Sequence, residues 1–458
     1  MRPTADPIGQ LIGAIAVPAA TAMVFHTLFN AVDTWWAGRW STTALAALAL
    51  SFPVFFVVIA ASAGVGQGTT ALIAQALGAG DRVRARRLFA QALLLSLAIG
   101  VLVALGGWFG AAPLFELLGA TGPAHDEALA YVIPLLLATS VFVLLAVGNA
   151  LLAAQGDTRS YRNAIIVGCV LIVGLDPLLM YGWLGLPSLG VTGIAVATVL
   201  LQILQLLYIL HRGRLTDLGR GWRLVDLRPH GPTLRALLRM GVPASLTMLA
   251  TGIGIFILTF FIARYGAEAV AAYGIAMRIE QLVLLPMIGL NAAAVTIVGQ
   301  NFGAKLYLRV RAAALRVLLY GVLIMTAGAV AVAFARAPLI TLFTADPTVL
   351  EVGVRYLDVA VLIFDAYTLV ILGSGILHGL KRPIFGLAVG ILRQILAPLL
   401  VVPFLERTMG WGLEGIFWTI FVVSWLAAGA ILLYLCWRLG GLATEHPRHR
   451  ATRPASAP

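Results

Sequence analysis

Two aspartates interrupt stretches of the sequence that are otherwise apolar. Asp33 stands in NAVDTWWAGR (30–39), and Asp176 stands in LIVGLDPLLM (171–180). An ionised carboxylate at the centre of a bilayer costs about 2.5–3.5 kcal/mol on insertion scales, so such residues usually carry a function. Two carboxyl groups in one partly dry site also resist simultaneous ionisation, which suits a proton carrier. We expect a proton- or cation-coupling site here; the alternative is that Asp33, close to Arg39, is hydrated at a membrane surface.

Three further residues of the first apolar segment could assist Asp33. Asn30 precedes it by three residues and His26 precedes Asn30 by four, which places them on roughly one helix face. Histidine can exchange protons near neutral pH, although a lone histidine is more often a packing residue. Pro18 lies earlier in the segment, and an interior proline bends a helix. We therefore expect a polar track and a hinge at Pro18, although prolines are also common in membrane helices.

The composition is that of a multi-span membrane protein. Of 458 residues, 61% are hydrophobic and 11% are charged. We count about twelve apolar segments long enough to cross a bilayer, which takes about 20 residues. Of the 31 Lys and Arg, 24 lie on one side of these alternating segments, so the positive-inside rule predicts that both termini are cytoplasmic. The first segment is too long for a cleavable signal peptide, and the two cysteines provide no metal-ligand spacing.

The chain repeats itself at an offset of 225 residues. The offset pairs AVPAA with GVPAS, AGRW with IARY, and QALGAGDRVRAR with QNFGAKLYLRVR. Chance matches between apolar helices involve Ala, Leu and Val, whereas these involve Pro, Gln and Arg. The repeat predicts an all-α membrane protein with twelve transmembrane helices in two pseudo-symmetric six-helix lobes, a parallel repeat that works by alternating access. The predicted divisions are an N-terminal lobe (1–211), a cytoplasmic basic linker (212–240), a C-terminal lobe (241–438) and a disordered cytoplasmic tail (439–458).

Several motifs, in order along the chain, resemble the multidrug and toxic compound extrusion (MATE) family. They are DTWWAGRWSTTALAAL from Asp33, QALGAGDRVRARR, LLAAQGDTRSYRNA, LDPLLMYG, GVTGIAVAT and the second-half QNFGA. The resemblance covers almost the whole chain. It implies a V-shaped pair of lobes that exports amphipathic organic cations, driven by proton or sodium entry, and a more distant relation to lipid-linked oligosaccharide flippases.

The resemblance also implies which residues hold the coupling ion. In the DinF-like branch these are an Asp on the first helix, an Asn and an Asp on the fifth, and a Thr on the sixth. The matching positions here are Asp33, Ile172, Asp176 and Thr198, so the Asn is missing. Because a hard cation such as sodium takes about six oxygen ligands, this loss favours protons. The resemblance further implies that protonation of Asp33 bends the first helix at Pro18.

The C-terminal half offers a second, weaker candidate. The repeat places Leu258, not an acid, opposite Asp33, and the notable acids are Asp365 in LIFDAYTL and Glu280 in MRIEQLV. NorM-like members of the family place a coupling acid on the tenth helix, at a position that corresponds to Tyr367. We therefore treat Asp365 and Tyr367, together with His26, as possible secondary coupling residues. Glu280 is expected to pair with Arg278 or with a loop.

Substrate contacts are expected on the second apolar segment, because aromatic rings can stack on cations. The candidate residues are Phe52, Phe55, Phe56 and Gln67. The sequence has no nucleotide-binding loop, zinc-protease motif or nucleophile elbow, which excludes enzymes and ATP-driven transport. The charge of +12 is spread between spans rather than clustered on a soluble face, which argues against nucleic acid.

These observations together predict a proton-coupled antiporter that exports lipophilic, often cationic, compounds across the bacterial inner membrane. Sodium coupling and a lipid or glycan-lipid flippase are the alternatives. A flippase would need several cations in its cavity, and only Arg278 and Arg393 lie within predicted spans. We expect no cofactor apart from the coupling proton or sodium ion, no metal site, contact with membrane lipids, and a monomer without an obligate protein partner.

Overall fold

The computed structural model describes residues 3–117, 119–220 and 224–444, and the regular elements in these ranges are all helices. Eleven helical segments are long and apolar enough to cross a membrane, or twelve if α4 and α5 form one bent span. The prediction of an all-α protein with twelve spans is confirmed. In chain order the helices are α1 (Ile8–Trp40), α2 (Thr42–Gly78), α3 (Arg82–Leu117), α4 (Pro123–Leu137), α5 (Thr139–Ala154), α6 (Arg159–Tyr181), α7 (Val191–Arg214), α8 (Asp217–Arg220), α9 (Gly231–Ile262), α10 (Ala267–Gly303), α11 (Tyr307–Thr341), α12 (Pro347–Gly379), α13 (Pro383–Ile391), α14 (Ala397–Met409) and α15 (Gly412–Thr444).

Two spans are interrupted at positions that the hydropathy does not reveal. α4 and α5 meet at an angle of 46°, just after Pro134, which has no N–H to continue the helix. The hydroxyl of Thr139 donates to the Leu136 carbonyl at 2.6 Å and so satisfies one group at this break. Between α13 and α14, a single π-helical turn (Leu392–Leu396) carries Arg393. Such turns occur frequently at functional positions.

The chain packs into two compact units. The N-terminal unit comprises Pro18–Leu77 and Asp81–Leu249, and the C-terminal unit comprises the residues before Pro18, residues 78–80 and the chain from Ala250 onward. Helix α1 therefore changes unit at Pro18, and α9 changes unit after Leu249. Helix α9 begins at Gly231, within the predicted linker, and α15 extends to Thr444. The rest of the predicted tail lies outside the described residues, and the predicted lobe boundaries stay a prediction.

Each unit has its own apolar core. In the C-terminal unit, one large cluster joins α10, α11, α12 and α15 with the start of α1, where Ile12 and Ile15 are buried. The N-terminal unit has several smaller clusters. One of them lies between α1, α6 and α7 and consists of Phe29, Cys169, Ile172, Ala197 and Leu201.

The segment before α1 is fixed by residues from the start of α11 and the end of α10. Arg309 donates from Nη2 to the Asp6 carbonyl at 2.8 Å and from Nε to Oδ1 of Asn301 at 3.1 Å. Asn301 in turn donates from Nδ2 to the Pro3 carbonyl at 3.1 Å. Arg309, which the repeat pairs with Arg84, therefore holds the segment before α1 in place.

Candidate functional site

Asp33 is enclosed by the N-terminal unit. Its residue exposure is only 5%, although it lies on the long helix α1. The hydroxyl of Thr198, on α7, donates to Oδ2 of Asp33 at 3.3 Å. The other oxygen, Oδ1, is buried and has no hydrogen-bond partner among the described residues. An ionised carboxylate here would thus have one donor for two oxygens.

Asp176, on α6, completes a buried pair of acids. It is 0% exposed, and its carboxyl interacts electrostatically with that of Asp33. Neither of its oxygens has a hydrogen-bond partner in the part of the chain that the structure describes. The structure thus brings together Asp33, Asp176 and Thr198 from three helices.

Tyr131, on α4, also lies at this pair and interacts electrostatically with both carboxyls. Tyr131 is not among the residues predicted from the sequence, because a tyrosine in an apolar span has many other uses and no spacing connects it to residues on α1 or α6. Ile172 occupies the position where the DinF-like branch has an Asn. It is fully buried in an apolar cluster with Phe29 and Cys169, so this position supplies no oxygen ligand. The arrangement is suited to binding one small cation or proton in a mostly dry environment.

The polar residues that were predicted to form one track along α1 lie in two separate surroundings. Asn30 is exposed and donates from Nδ2 to the His26 carbonyl at 2.9 Å, and the same atom lies 3.2 Å from Nδ1 of His26. Among the described residues, the hydrogen bonds of Asn30 connect it to His26 and Thr34 and not to Asp33. Pro18 is buried within the uninterrupted helix α1. The structure therefore brings Asn30 and His26 together but does not bring them to the acid pair.

The four expected substrate contacts all lie on α2. Phe52 is 55% exposed, and its ring lies 5.7 Å from that of Phe56. Phe55 points elsewhere and packs on Phe142 with a centroid distance of 5.4 Å. Gln67 is half-buried, three helical turns after Phe56. Only Phe52 and Phe56 form an accessible aromatic pair.

The C-terminal unit contains a separate polar cluster. Glu280 is 2% exposed and accepts a hydrogen bond from the Tyr356 hydroxyl at 3.0 Å. The expectation that Glu280 pairs with Arg278 or a loop is wrong, because Arg278 lies on the exposed face of the same helix. The guanidinium carbon of Arg393 lies 4.8 Å from the ring centroid of Tyr367.

The two predicted residues of α12 are in different surroundings. Asp365 accepts a hydrogen bond from Thr326 at 3.0 Å. Tyr367 interacts instead with Arg393 and Glu280. Arg393 also donates from Nη1 to Ser424 at 3.4 Å. Tyr367 therefore belongs to the Glu280 cluster, and Asp365 forms its own contact with α11.

Eleven membrane-length helices, one further bent span and a buried acid pair, all within the described residues, are the features of a secondary transporter. The family model described as MatE matches residues 18–178 and again residues 243–402. The two matches begin at the paired prolines Pro18 and Pro243, which confirms the duplication. The chain belongs to the MATE family.

Relatives and solved structures agree with this assignment. The chain is 30% identical over 397 residues to a Shewanella oneidensis protein described as "FAD transporter", covering 85% of this chain and 86% of that protein. It is 30% identical over 351 residues to the "Probable multidrug resistance protein NorM" of Thermotoga maritima, covering 74% and 73%. A MOP superfamily transporter structure from Pyrococcus furiosus matches with a TM-score of 0.89 and 26% identity over 96% of this chain and 98% of that one, and its binding pocket is described as having reverse polarity.

The family sets the general function. Its members are transporters rather than enzymes and need no prosthetic cofactor. The chain is accordingly an integral membrane transporter of the multidrug efflux family that moves small molecules. The DinF-like branch and the roles of the site residues stay predictions.

Proposed function

We propose that this transporter exchanges protons for lipophilic, often cationic, compounds, and that Asp33 carries the proton. The observation that carries the proposal is the pair of buried acids served by one hydroxyl donor. If both carboxyls are ionised, four acceptor oxygens share the hydroxyl of Thr198. Two buried negative charges and three acceptor oxygens without a donor in the described part of the chain are both unfavourable. A proton on either carboxyl turns one oxygen into a donor and removes one buried charge, so it reduces both penalties.

The proposed transport cycle alternates between a protonated and an ionised acid pair. A proton taken up by Asp33 on the outer side removes one of the two buried charges, and the new hydroxyl can donate an O–H···O bond to the ionised Asp176. Its release on the inner side restores the ionised state, which the Thr198 hydroxyl partly stabilises. We propose that the two states differ in the path of α1 at Pro18, where the helix passes from one packed unit to the other, and that this difference drives alternating access. His26, further along the same helix, can exchange protons through its imidazole, and Asn30 orients that ring by hydrogen bonding.

Sodium coupling is the alternative within the same site. The two carboxyls and Thr198 supply five oxygens, whereas a hard cation takes about six or more. The sixth oxygen of the DinF-like branch would come from position 172, and here that side chain is a buried isoleucine. This substitution supports protons over sodium.

The deciding experiment measures proton release from everted vesicles or proteoliposomes on addition of a cationic dye, with and without sodium. Wild-type protein should release protons without sodium, and Asp33→Asn and Asp176→Asn should abolish the response. Asp365→Asn is the matched control, because it removes an acid from the C-terminal unit, and it should retain most of the activity. An active Asp33→Asn variant would refute Asp33 as the coupling residue. Exchange that occurs only with sodium would refute the proton as the coupling ion. Loss of activity in Asp365→Asn alone would move the coupling site to the C-terminal unit.

A second candidate function is export of an organic anion. The relative described as an FAD transporter motivates it, as does Arg393, whose buried Nε has no hydrogen-bond partner among the described residues. FAD should then be released into the external medium by cells that produce the transporter, and Arg393→Gln should reduce this release more than it reduces dye export. If FAD is not transported while the dye is, the cationic substrate class stands alone.

The remaining expectations concern the cell. We propose a location in the bacterial inner membrane with both termini cytoplasmic, since the basic loops lie on that side, and function as a monomer. A lipid or glycan-lipid flippase stays the third alternative. It predicts headgroup translocation that Arg278→Gln and Arg393→Gln would abolish, and the dye assay distinguishes it because a flippase would release no protons with dye.

A further inference from the structure

Two cavities of the N-terminal unit follow one another along the same pair of helices, α3 and α9. The first lies at the N-terminal ends of both helices and has a volume of about 310 Å³. Since one water occupies about 30 Å³ of liquid, this cavity could hold a phosphate headgroup. Its lining includes Arg84 and Arg87 from α3 and His230 from the start of α9.

The arginines of this cavity are not used to hold the fold. The repeat pairs Arg84 with Arg309, which in the other half fixes the segment before α1. In this half the corresponding segment, before α9, is fixed by Gln91 instead. The Gln91 amide donates to the carbonyls of Asp226 and Arg228 at 2.9 and 2.8 Å and accepts from the His230 N–H at 2.9 Å. The guanidinium groups of Arg84 and Arg87 therefore remain without a protein partner among the described residues.

Other groups at the cavity favour an anion. Nδ1 of His230 lies 2.8 Å from Oγ1 of Thr233 and 3.3 Å from its backbone N; in the tautomer in which Nδ1 accepts, Nε2 carries the hydrogen and can donate to an anion. Asp81 is the acid that lines the cavity, and its Oδ1 is engaged with the Arg84 N–H at 2.8 Å. The cavity is thus lined by two arginines, one histidine and a single carboxylate, and that carboxylate already accepts the backbone N–H of Arg84.

The second cavity is apolar and continues further along α3 and α9. It has a volume of about 100 Å³, and its walls include Leu95 and Ile99 from α3 and Leu238 and Val242 from α9. The rise of about 1.5 Å per residue puts Leu95 roughly 12 Å along α3 from Arg87. Leu238 and Val242 are 41% and 46% exposed, so this groove opens to the surface.

A glycine crossing of α2 and α9 lies beside the groove. A Cβ on Gly64 would lie 2.7 Å from the Gly241 carbonyl oxygen, and a Cβ on Gly68 would lie 2.8 Å from the Gly241 N. The backbones of α2 and α9 therefore lie in close contact here, with Gly64 and Gly68 facing Gly241 and Ser245. The cleft lies beside this crossing, between α3 and α9, and Val57, Ala61 and Val65 of α2 form its floor.

We propose that this cleft binds one anionic phospholipid, with its phosphate at Arg84 and Arg87 and a segment of one acyl chain in the groove between α3 and α9. The basic cavity alone would suit any phosphate, and the apolar groove alone would suit any acyl chain. Their succession along two helices, in the order headgroup and then hydrocarbon, matches a phospholipid. Such a lipid would hold the part of α9 that belongs to the N-terminal unit against α3 and stabilise that unit.

The test is native mass spectrometry of the full-length, delipidated protein titrated with dioleoyl-phosphatidylglycerol, dioleoyl-phosphatidylcholine or glycerol 1-phosphate. The wild type should retain one phosphatidylglycerol in preference to phosphatidylcholine. Surface arginines are worth about 1 kcal/mol each towards anionic lipid, so Arg84→Gln/Arg87→Gln should weaken binding roughly 10- to 30-fold. Val242→Trp, at an exposed position in the groove, should weaken phosphatidylglycerol binding without affecting glycerol phosphate.

The control is Arg311→Gln/Arg316→Gln, which removes two exposed charges from the duplicate helix α11 and should leave binding unchanged. Equal retention of phosphatidylcholine would overturn the proposal in favour of non-specific lipid. Glycerol phosphate binding as tightly as phosphatidylglycerol, with no effect of Val242→Trp, would reduce the cleft to a phosphate site. Equal weakening in the control would show a general charge effect and overturn it as well.

Discussion

Replacing Thr198 with valine removes the hydroxyl that donates to Asp33 while it keeps the branched shape of the side chain. The bond is 3.3 Å long, and Asp33 has no other hydrogen-bond donor among the described residues. Hydrogen bonds to charged groups contribute about 1.5–3 kcal/mol, and the long distance favours the lower end. The ionised state of Asp33 should therefore lose about 1.5 kcal/mol, which makes proton release about tenfold less favourable.

Dye-driven proton release from proteoliposomes, measured as a function of pH on the releasing side, tests this reasoning. Thr198→Val should transport up to about tenfold more slowly at neutral pH, and raising that pH by about one unit should restore the rate. Thr198→Ser keeps the hydroxyl and should behave like the wild type. A Thr198→Val protein that is folded and matches the wild type across the pH range would refute the role of this hydrogen bond. Equal loss in the valine and serine variants would refute it too, since packing would then be the cause.

Three further predictions concern other parts of the molecule. Tyr356→Phe leaves buried Glu280 without its donor, so the free energy of unfolding should fall by about 1–3 kcal/mol, seen as a lower melting temperature in detergent. Gly68→Val should cost about 1–3 kcal/mol in the same assay, because its Cβ would meet backbone atoms of Gly241 at 2.8 Å. Pro18→Ala restores a helical N–H in α1 and should reduce transport several-fold while thermal stability is kept or slightly increased.

Each of these has a control in the same chain. Glu280→Gln combined with Tyr356→Phe should cost less than the sum of the two single changes, and strict additivity would contradict the hydrogen bond. Gly13→Ala, where a Cβ has no neighbour within 4 Å, should be neutral or stabilising by up to about 1 kcal/mol. Pro243→Ala changes the duplicate proline, and an equal loss of transport there would argue against a special role for Pro18.

The membrane class, the number of spans, the duplication and the family could all be predicted from the sequence. Hydropathy is a local property of the chain, and a bilayer requires about 20 apolar residues for each span, so the succession of apolar segments predicts the number of spans, although not the breaks within two of them. The repeat is likewise visible in one dimension. Asp33 and Asp176 could be selected because a carboxylate in an apolar helix is costly wherever the helix packs.

Tertiary packing decided which residues come together at the site and what surrounds them. Asn30 and Asp33 lie about 60° apart around α1, so the sequence could not distinguish the exposed residue from the buried one; the neighbouring helices α6 and α7 make that choice. Tyr131 interacts electrostatically with the acids because α4 packs against α7. Glu280 accepts a hydrogen bond from Tyr356 on another helix and does not pair with Arg278 on its own helix. The sequence thus determined which residues would be costly in a membrane, and the packing of separate helices decided which partners offset that cost.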